Sequence, residues 1–379
     1  MQKNSVDLLE QLVKIPSYRE TGEVAAFLKE ILAAEGFDAG VIRRGTTANL
    51  VAGLGKGPNK LVLNAHTDTV PPQSGESVGL RREENTLFGL GTVDNKGGAV
   101  SMLAAFTDLA SREAELNGRV LLCLVGDEEN GGANGTAALV QAGYTAEVAV
   151  IGEPTHLNLC VGQKSLLHLV LQSNGIAQHS SRPTNDNAIL KMSRVLSRLA
   201  ERFPVPPSDP NSVFNATTLN MGTILGGSAT NVVAAQCRAT LDFRLPPSAD
   251  PAQLRQVVEQ ATGTDAIASE SLFAQGWVTP EQSPVAQLAL STLRNQKPDA
   301  HIITKFGSND GRHYAQKGST VVNFGPGDNK LSHSGREQID AQSLEQARNA
   351  YREFALAILT SGYPSRPAEI PKVLLENSA

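Results

Sequence analysis

Arg119-Val120-Leu121-Leu122-Cys123-Leu124-Val125, followed at once by Gly126-Asp127-Glu128-Glu129-Asn130-Gly131-Gly132, decides how this chain is read. Six consecutive apolar residues leave no polar face, which is the pattern of a strand buried on both sides, as in a parallel sheet covered by helices. Two further runs share that character. Leu61-Val62-Leu63 opens a strand expected to reach Thr69-Val70, where Pro71-Pro72 stops it. Residues 148–151 form another, stopped by Gly152-Glu153-Pro154. Between the first two lies a helical pattern, with Val100, Leu103, Phe106 and Leu109 or Ala110 on one face. Strands alternating with helices predict an α/β fold with a mostly parallel sheet flanked by helices.

The pattern changes after about Gly162. Residues 166–172 (LLHLVLQ), 217–225 and 236–245 read as more open strands. Two helical patterns interleave with them: Ile189, Met192, Val195, Leu196, Leu199 and Phe203 at helical spacing, then residues 251–261. The parallel style resumes with a helix over 284–295, a strand over 319–324 and a final helix over 343–359. The expected organisation is therefore a first domain in two parts, 1–163 and 277–379, split by an α+β insertion at 164–276.

At 379 residues the chain is long enough for two or three domains. Its net charge of -5 lacks the basic footprint of a nucleic-acid binder. Three cysteines without a CxxC pair exclude a disulfide framework and a thiol-rich zinc site. No run of about 18 apolar residues suggests a membrane span, and the first residues lack the pattern of a signal peptide. A cytoplasmic protein is expected, with no nucleic-acid or membrane partner.

Five spots place His or carboxylate residues at strand ends or in Gly-rich turns, and ligands of open α/β sheets bind beyond the carboxyl ends of the strands. His66 and Asp68 stand two apart, on one face of a strand. Imidazole can hold a metal through one nitrogen while a carboxylate holds the other. Asp94 precedes a helix in Gly91-Thr92-Val93-Asp94-Asn95-Lys96-Gly97-Gly98, where an isolated Asp is ordinarily an N-cap. Asp127-Glu128-Glu129 would repel one another in a turn, and a cation would remove the repulsion. Glu153 is fixed before Pro154, and His333 follows the Gly-rich stretch that begins at Phe324. Two histidines with several carboxylates are a donor set for two borderline-hard cations such as Zn²⁺.

These five motifs, in this order, resemble the co-catalytic di-zinc exopeptidase and deacylase family, which includes acetylornithine deacetylase, succinyl-diaminopimelate desuccinylase, aminoacylase and glutamate carboxypeptidase. The resemblance spans nearly the whole chain. It implies a zinc exopeptidase-like catalytic domain and an inserted two-layer lid through which the protein dimerises. It implies that His66 and Glu153 bind one metal, Glu129 and His333 the second, and that Asp94 bridges both, with a cis peptide bond after Asp94. Asp68 would orient His66, and Glu128 would be the general base. Gln178-His179-Ser180-Ser181-Arg182-Pro183 resembles the lid motif whose histidine stabilises the oxyanion in the partner subunit's site. Asn231 and Arg244 resemble substrate-contacting groups, Arg244 in Asp242-Phe243-Arg244 having a structural salt bridge as its alternative. Gly162-Gln163-Lys164-Ser165 departs from the Gly-x-Lys-Gly of acetylornithine- and succinyl-type members, and Ser308-Asn309-Asp310-Gly311-Arg312 resembles the desuccinylase pattern around Asp-Gly-Arg without being identical to it.

The expected function is hydrolysis of the amide bond of a small N-acyl amino acid by a metal-activated water, with Glu128 as base and two divalent ions (Zn²⁺, with Co²⁺ or Mn²⁺ as alternatives). A metallo-exopeptidase acting on short peptides is the alternative. No Gly-x-Gly-x-x-Gly, P-loop, HExxH or Gly-x-Ser-x-Gly motif is present, which disfavours nucleotide enzymes, single-zinc proteases and serine hydrolases.

Overall fold

The computed structural model describes residues 5–73, 79–182, 184–209 and 214–360. Pro183 and the tail after Pro364 lie outside them. The chain forms two compact units. One runs to Val161 and resumes over Thr279–Ile303 and from Asn309 onward. The other is Gly162–Val278 with Thr304–Ser308.

In the first unit, β1 (Ala39–Arg44), β2 (Thr47–Lys56) and β3 (Asn59–His66) are followed by the short β4 (Arg81–Glu83) and β5 (Thr86–Phe88), then β6 (Gly118–Val125) and β7 (Val148–Ile151). β8 (Leu159–Gln163) leads into the second unit, which contains β9 (Ser165–Asn174), β10 (Thr218–Gly226), β11 (Gln236–Leu245), β12 (Ile267–Ala274) and β13 (Trp277–Val278). β14 (Ile302–Lys305), β15 (Thr320–Asn323) and β16 (Gln338–Asp340) complete the set. The main sheet runs β1-β2-β6-β3-β7-β15-β8. β6, β3, β7 and β15 are mutually parallel, whereas β1, β2 and β8 join antiparallel.

The quoted stretch is β6. Every residue from Val120 to Val125 is buried, and only Arg119 reaches solvent. Burying each Leu or Val side chain contributes about 1.5–3 kcal/mol. The expected helix spans Lys96–Leu109, and Val100, Leu103, Phe106 and Leu109 all enter the core. The first strand is shorter than expected: β3 ends at His66, although Thr67 N–H still donates to Val125 O at 2.7 Å. His66, Val125, Ile151 and Asn323 end the four parallel strands at one edge of the sheet, and the chain leaves each into a loop carrying an expected site residue.

Lys96 ties the N-terminal helix to this edge. It is 2 % exposed, and its ammonium donates to Leu12 O at 3.1 Å and Ile15 O at 2.7 Å. Those carbonyls lie at and just beyond the C-terminal end of the helix Ser5–Val13, where a cation is favoured. Lys96→Met should leave both without this donor, at a cost of about 1–3 kcal/mol. A lower melting temperature of the metal-free protein is expected, and unchanged melting would contradict this assignment.

The second unit is a four-stranded antiparallel sheet, β10-β11-β9-β12. Helices Ala188–Arg202 and Pro251–Thr262 start at Asn187 and Asp250, whose side chains accept backbone N–H groups of the first turn. Ala188, Met192, Val195 and Leu199 are fully buried, whereas Ile189, expected on the same face, is 41 % exposed. The two helices cover one face of the sheet. β11 alternates accordingly: Cys237, Ala239, Leu241, Phe243 and Leu245 join that core, and Asp242 and Arg244 lie on the other face. Thr304–Ser308, which the sequence pattern did not assign to this unit, is held by Lys164 N–H on Lys305 O at 3.2 Å and Arg244 on Phe306 O at 3.4 Å. Among the described residues, no helix is long and apolar enough to cross a membrane.

Candidate metal centre

The loops at the carboxyl ends of β3, β6, β7 and β15 bring together the residues expected from the motifs. His66 closes β3. Its Nδ1–H donates to Asp68 O at 3.1 Å and lies 3.4 Å from Asp68 Oδ1. Its Nε2 faces Asp94 Oδ1 at 3.0 Å and Glu153 Oε1 at 3.4 Å. On the other side of Asp94, Oδ2 lies 3.5 Å from His333 Nε2, which also meets Glu129 Oε2 at 3.0 Å. Two groups result, His66/Asp94/Glu153 and Asp94/Glu129/His333, with donor atoms within 4.8 Å of one another in each. Asp94 is the member common to both. It does not cap the helix; Asn95 holds the N-cap position, and the Asp94–Asn95 peptide bond is cis, as the resemblance implied.

The electrostatics fit divalent cations. Burial alone would lower the pKa of His66, but hydrogen bonds to Asp68, Asp94 and Glu153 outweigh it and raise the value well above the ordinary range. Burial, then the neighbouring charge of Glu153, pushes Glu128 far up. Burial and Asp94 push Glu129 up to about 7, against the pull of the two histidines. So many carboxylates around two imidazoles bind protons strongly when nothing else neutralises them. Cations and protons compete for such donors, and His and carboxylate ligands with one shared carboxylate suit Zn²⁺-like ions.

The turn carrying Glu128 and Glu129 is held from behind. Asp127 adopts φ +76°, and its Oδ2 accepts Asn134 N–H at 2.8 Å. Asp68 Oδ2 accepts the backbone N–H of Glu129 at 3.1 Å, so one carboxylate serves both His66 and this turn. Gly132 sits at φ +69°, where an added Cβ would lie 2.5 Å from Asp310 Oδ1. Arg312 donates to Gly131 O at 2.6 Å. Asp310, buried behind the turn and pushed up to about 6 by that burial, accepts Thr136 Oγ–H at 2.7 Å. The Asp-Gly-Arg stretch thus packs behind the turn of Glu128.

The chain belongs to peptidase family M20/M25/M40. The family's model matches residues 62–357, which include every residue of both groups. This M20 chain is 29 % identical to a succinyl-diaminopimelate desuccinylase of Cereibacter sphaeroides over 93 % of its own length and 98 % of the relative's. Among solved structures it is similar to aminopeptidase PepT of Bacillus cereus, with a TM-score of 0.80 and 18 % identity over 94 % of this chain and 99 % of that one. A tripeptidase of Staphylococcus aureus is similar at 0.78 and 22 % identity, over 94 % and 98 %. The M20 chain is a metal-dependent hydrolase, built on a mostly parallel sheet with an inserted antiparallel module.

Within the second unit, the remaining expected residues of the M20 protein fall in two places. His179 and Asn231 are neighbours: residues 179 and 232 form an isolated bridge, and Ser180 N–H donates to Asn231 O at 3.1 Å. The His179 ring is exposed; its Nδ1 accepts Ser181 N–H at 3.2 Å, so Nε2 carries the proton. Arg244 lies apart, its fork engaged by Asp242 at 2.8 and 3.0 Å. Lys164 is buried and donates to Ala216 O.

Sequence reasoning passed over Glu337. It is 3 % exposed, and its Oε2 accepts N–H groups of Gly91 at 2.9 Å, Val93 at 3.2 Å and Asp94 at 3.4 Å. The available signal was a lone glutamate four residues after His333, too slight to read without the loop it meets.

Proposed function

We propose that this protein is a di-metal deacylase that hydrolyses the amide bond of a small N-acyl amino acid of the acetylornithine or succinyl-diaminopimelate type. The observation that carries the reading is Asp94, shared between two histidine-containing donor groups, with Glu128 beside them and in neither. The likeness to a desuccinylase over nearly the whole of both chains supports the substrate class.

Two divalent cations, when bound, supply Lewis acidity and lower the pKa of water toward neutrality. His66, Asp94 and Glu153 would hold one, and Asp94, Glu129 and His333 the other; two imidazoles among carboxylates favour Zn²⁺, with Co²⁺ or Mn²⁺ as substitutes. Asp68 orients His66 through Nδ1. Glu128 takes a proton from water as its oxygen attacks the amide carbonyl carbon, and returns that proton to the amine nitrogen as the C–N bond breaks. His179 of a second subunit donates from Nε2 to the carbonyl oxygen as it gains charge. Asn231 and Arg244 hold the substrate, with Asp242 fixing the plane of the Arg244 fork.

The second unit supports a homodimer. β10 is an edge strand with Met221, Ile224 and Leu225 exposed at 38, 52 and 72 %, and an exposed apolar edge is a template for pairing. Cys123, Cys160 and Cys237 are buried and not joined in disulfides, which fits a reducing cytoplasm.

The test is a screen of N-acetyl and N-succinyl amino acids, C-terminal dipeptides and tripeptides, with added Zn²⁺ or Co²⁺ and with chelator. Turnover of an N-acyl amino acid that chelator abolishes and metal restores is expected. Preferential turnover of peptides would replace the deacylase reading by that of an exopeptidase.

A further inference from the structure

Asp94 can serve two cations only if its carboxylate stays between His66 and His333; within its loop Val93 is buried in the core and Thr92 Oγ–H donates to Gly89 O at 2.7 Å. The loop is Gly91-Thr92-Val93-Asp94, whose Gly91 sits at φ +83°. Its backbone is gathered by one buried carboxylate. Glu337 Oε2 takes the N–H groups of Gly91, Val93 and Asp94, while the backbone O of Glu337 accepts Gly89 N–H at 3.1 Å. Glu337 opens the segment that continues into β16, which pairs antiparallel with β5 just before the loop: Gln338 with Phe88, Ile339 with Leu87. It also follows His333 by four residues, and its own N–H donates to Ser334 O at 3.3 Å. One side chain therefore links the shared aspartate to the segment carrying the histidine of the second group.

Retaining a carboxylate here has a cost. Among the described residues, Oε1 of Glu337 is buried without a hydrogen-bond partner. A buried carboxylate with an orphaned oxygen destabilises a fold, so its contribution lies in what it holds. Three donors converging on one oxygen require an acceptor at a set distance; charge by itself would not place the loop. We propose that Glu337 is a positioning residue of the metal centre, which sets Asp94 and His333 relative to each other and so controls uptake of the second cation, the one bound by Asp94, Glu129 and His333. The first group depends on it less, because His66 and Glu153 are anchored at the ends of β3 and β7.

The inference rests on the two-cation reading, and Co²⁺ titration of the metal-free full-length protein separates the two. Absorption spectroscopy and calorimetry count the ions and their affinities. Wild type binding fewer than two Co²⁺ would remove the two-cation reading itself. Given two sites in the wild type, Glu337→Gln keeps length and an acceptor oxygen, and should bind both ions within about threefold of wild type. Glu337→Asp keeps the charge but is one methylene too short to reach the three N–H groups. It should weaken the second ion about 10–100-fold, the range for groups that orient ligands, and leave the first nearly unchanged; Glu337→Ala should do the same. The opposite order, with Asp tolerated and Gln not, would assign Glu337 an electrostatic role. Wild-type binding by all three variants would overturn the inference. So would loss of cooperative melting in metal-free Glu337→Gln, which would make the residue one of the fold rather than of the metal centre.

Discussion

Glu128→Gln is expected to bind two cations as the wild type does and to lose about 10²–10⁴-fold in turnover, the range for a general acid–base group. The reason lies in neighbouring side chains with different partners. Glu129 reaches His333, and its backbone N–H is held by Asp68, so it serves the donor set. Glu128 belongs to neither donor group. Its amide isostere preserves the shape of the turn, including the contacts of Gly131 and Gly132 with the Asp-Gly-Arg segment, but cannot take a proton. Metal content measured beside steady-state turnover decides the matter. Turnover within tenfold of wild type, at full metal content, would remove Glu128 from the base role. Loss of one metal ion would make it a ligand.

His179→Ala should be nearly inactive by itself, with a loss of about 10²–10³-fold for one oxyanion donor, yet it should be rescued in mixed dimers. Co-expressed with Glu128→Gln, half of the randomly assembled dimers are hybrids. In each hybrid, one site combines an intact Glu128 with an intact His179 from the other chain. Activity should then return to about a quarter of wild type. No recovery, with hybrid dimers demonstrated by differential tagging, would place His179 in its own subunit's site or outside catalysis. The exposed ring, with Nδ1 occupied by Ser181 and Nε2 free to donate, is the feature that makes a role in trans chemically sensible. Asn231, joined to the same loop through its carbonyl, should show a smaller loss that appears in KM rather than kcat.

Much of the fold was legible because its strands are buried on both sides. The apolar runs at β6 and β7, and the helix Lys96–Leu109 between β3 and β6, follow directly from that pattern. β1 and β2 were not read. In β2, Thr47–Lys56, two glycines interrupt a strand that is nonetheless almost wholly buried. β12, Ile267–Ala274, is an edge strand whose Ser269-Glu270-Ser271 interrupts its apolar residues, so it lacks a continuous apolar run. The expected strand outruns β3 because residues after His66 keep an apolar and β-branched character. The strand ends there all the same, since its chain turns to carry Asp68 beneath His66.

The candidate metal site was legible for a different reason: its donors occupy short motifs of His, Asp and Glu among glycines, at strand ends or in Gly-rich turns. Residue type and local spacing determine which groups can bind a cation, which carboxylate stands next to a ligand, and that a strand end presents them. They do not determine convergence. Parallel strands about 4.8 Å apart bring four loops to one edge, and only there do His66 and His333 meet opposite oxygens of Asp94. The supporting contacts are less local still. Glu337 holds a loop 246 residues earlier in the chain, and Arg312 reaches across 181 residues to the turn of Glu128. A backbone N–H or carbonyl looks the same at every position of a sequence, so a side chain that acts by holding backbone leaves no pattern to read. The chemistry available to this protein is written in its residue types and their local spacing. The tertiary structure decided which carboxylate is shared, which glutamate stands apart from the donor groups, and which buried glutamate holds the shared one in place.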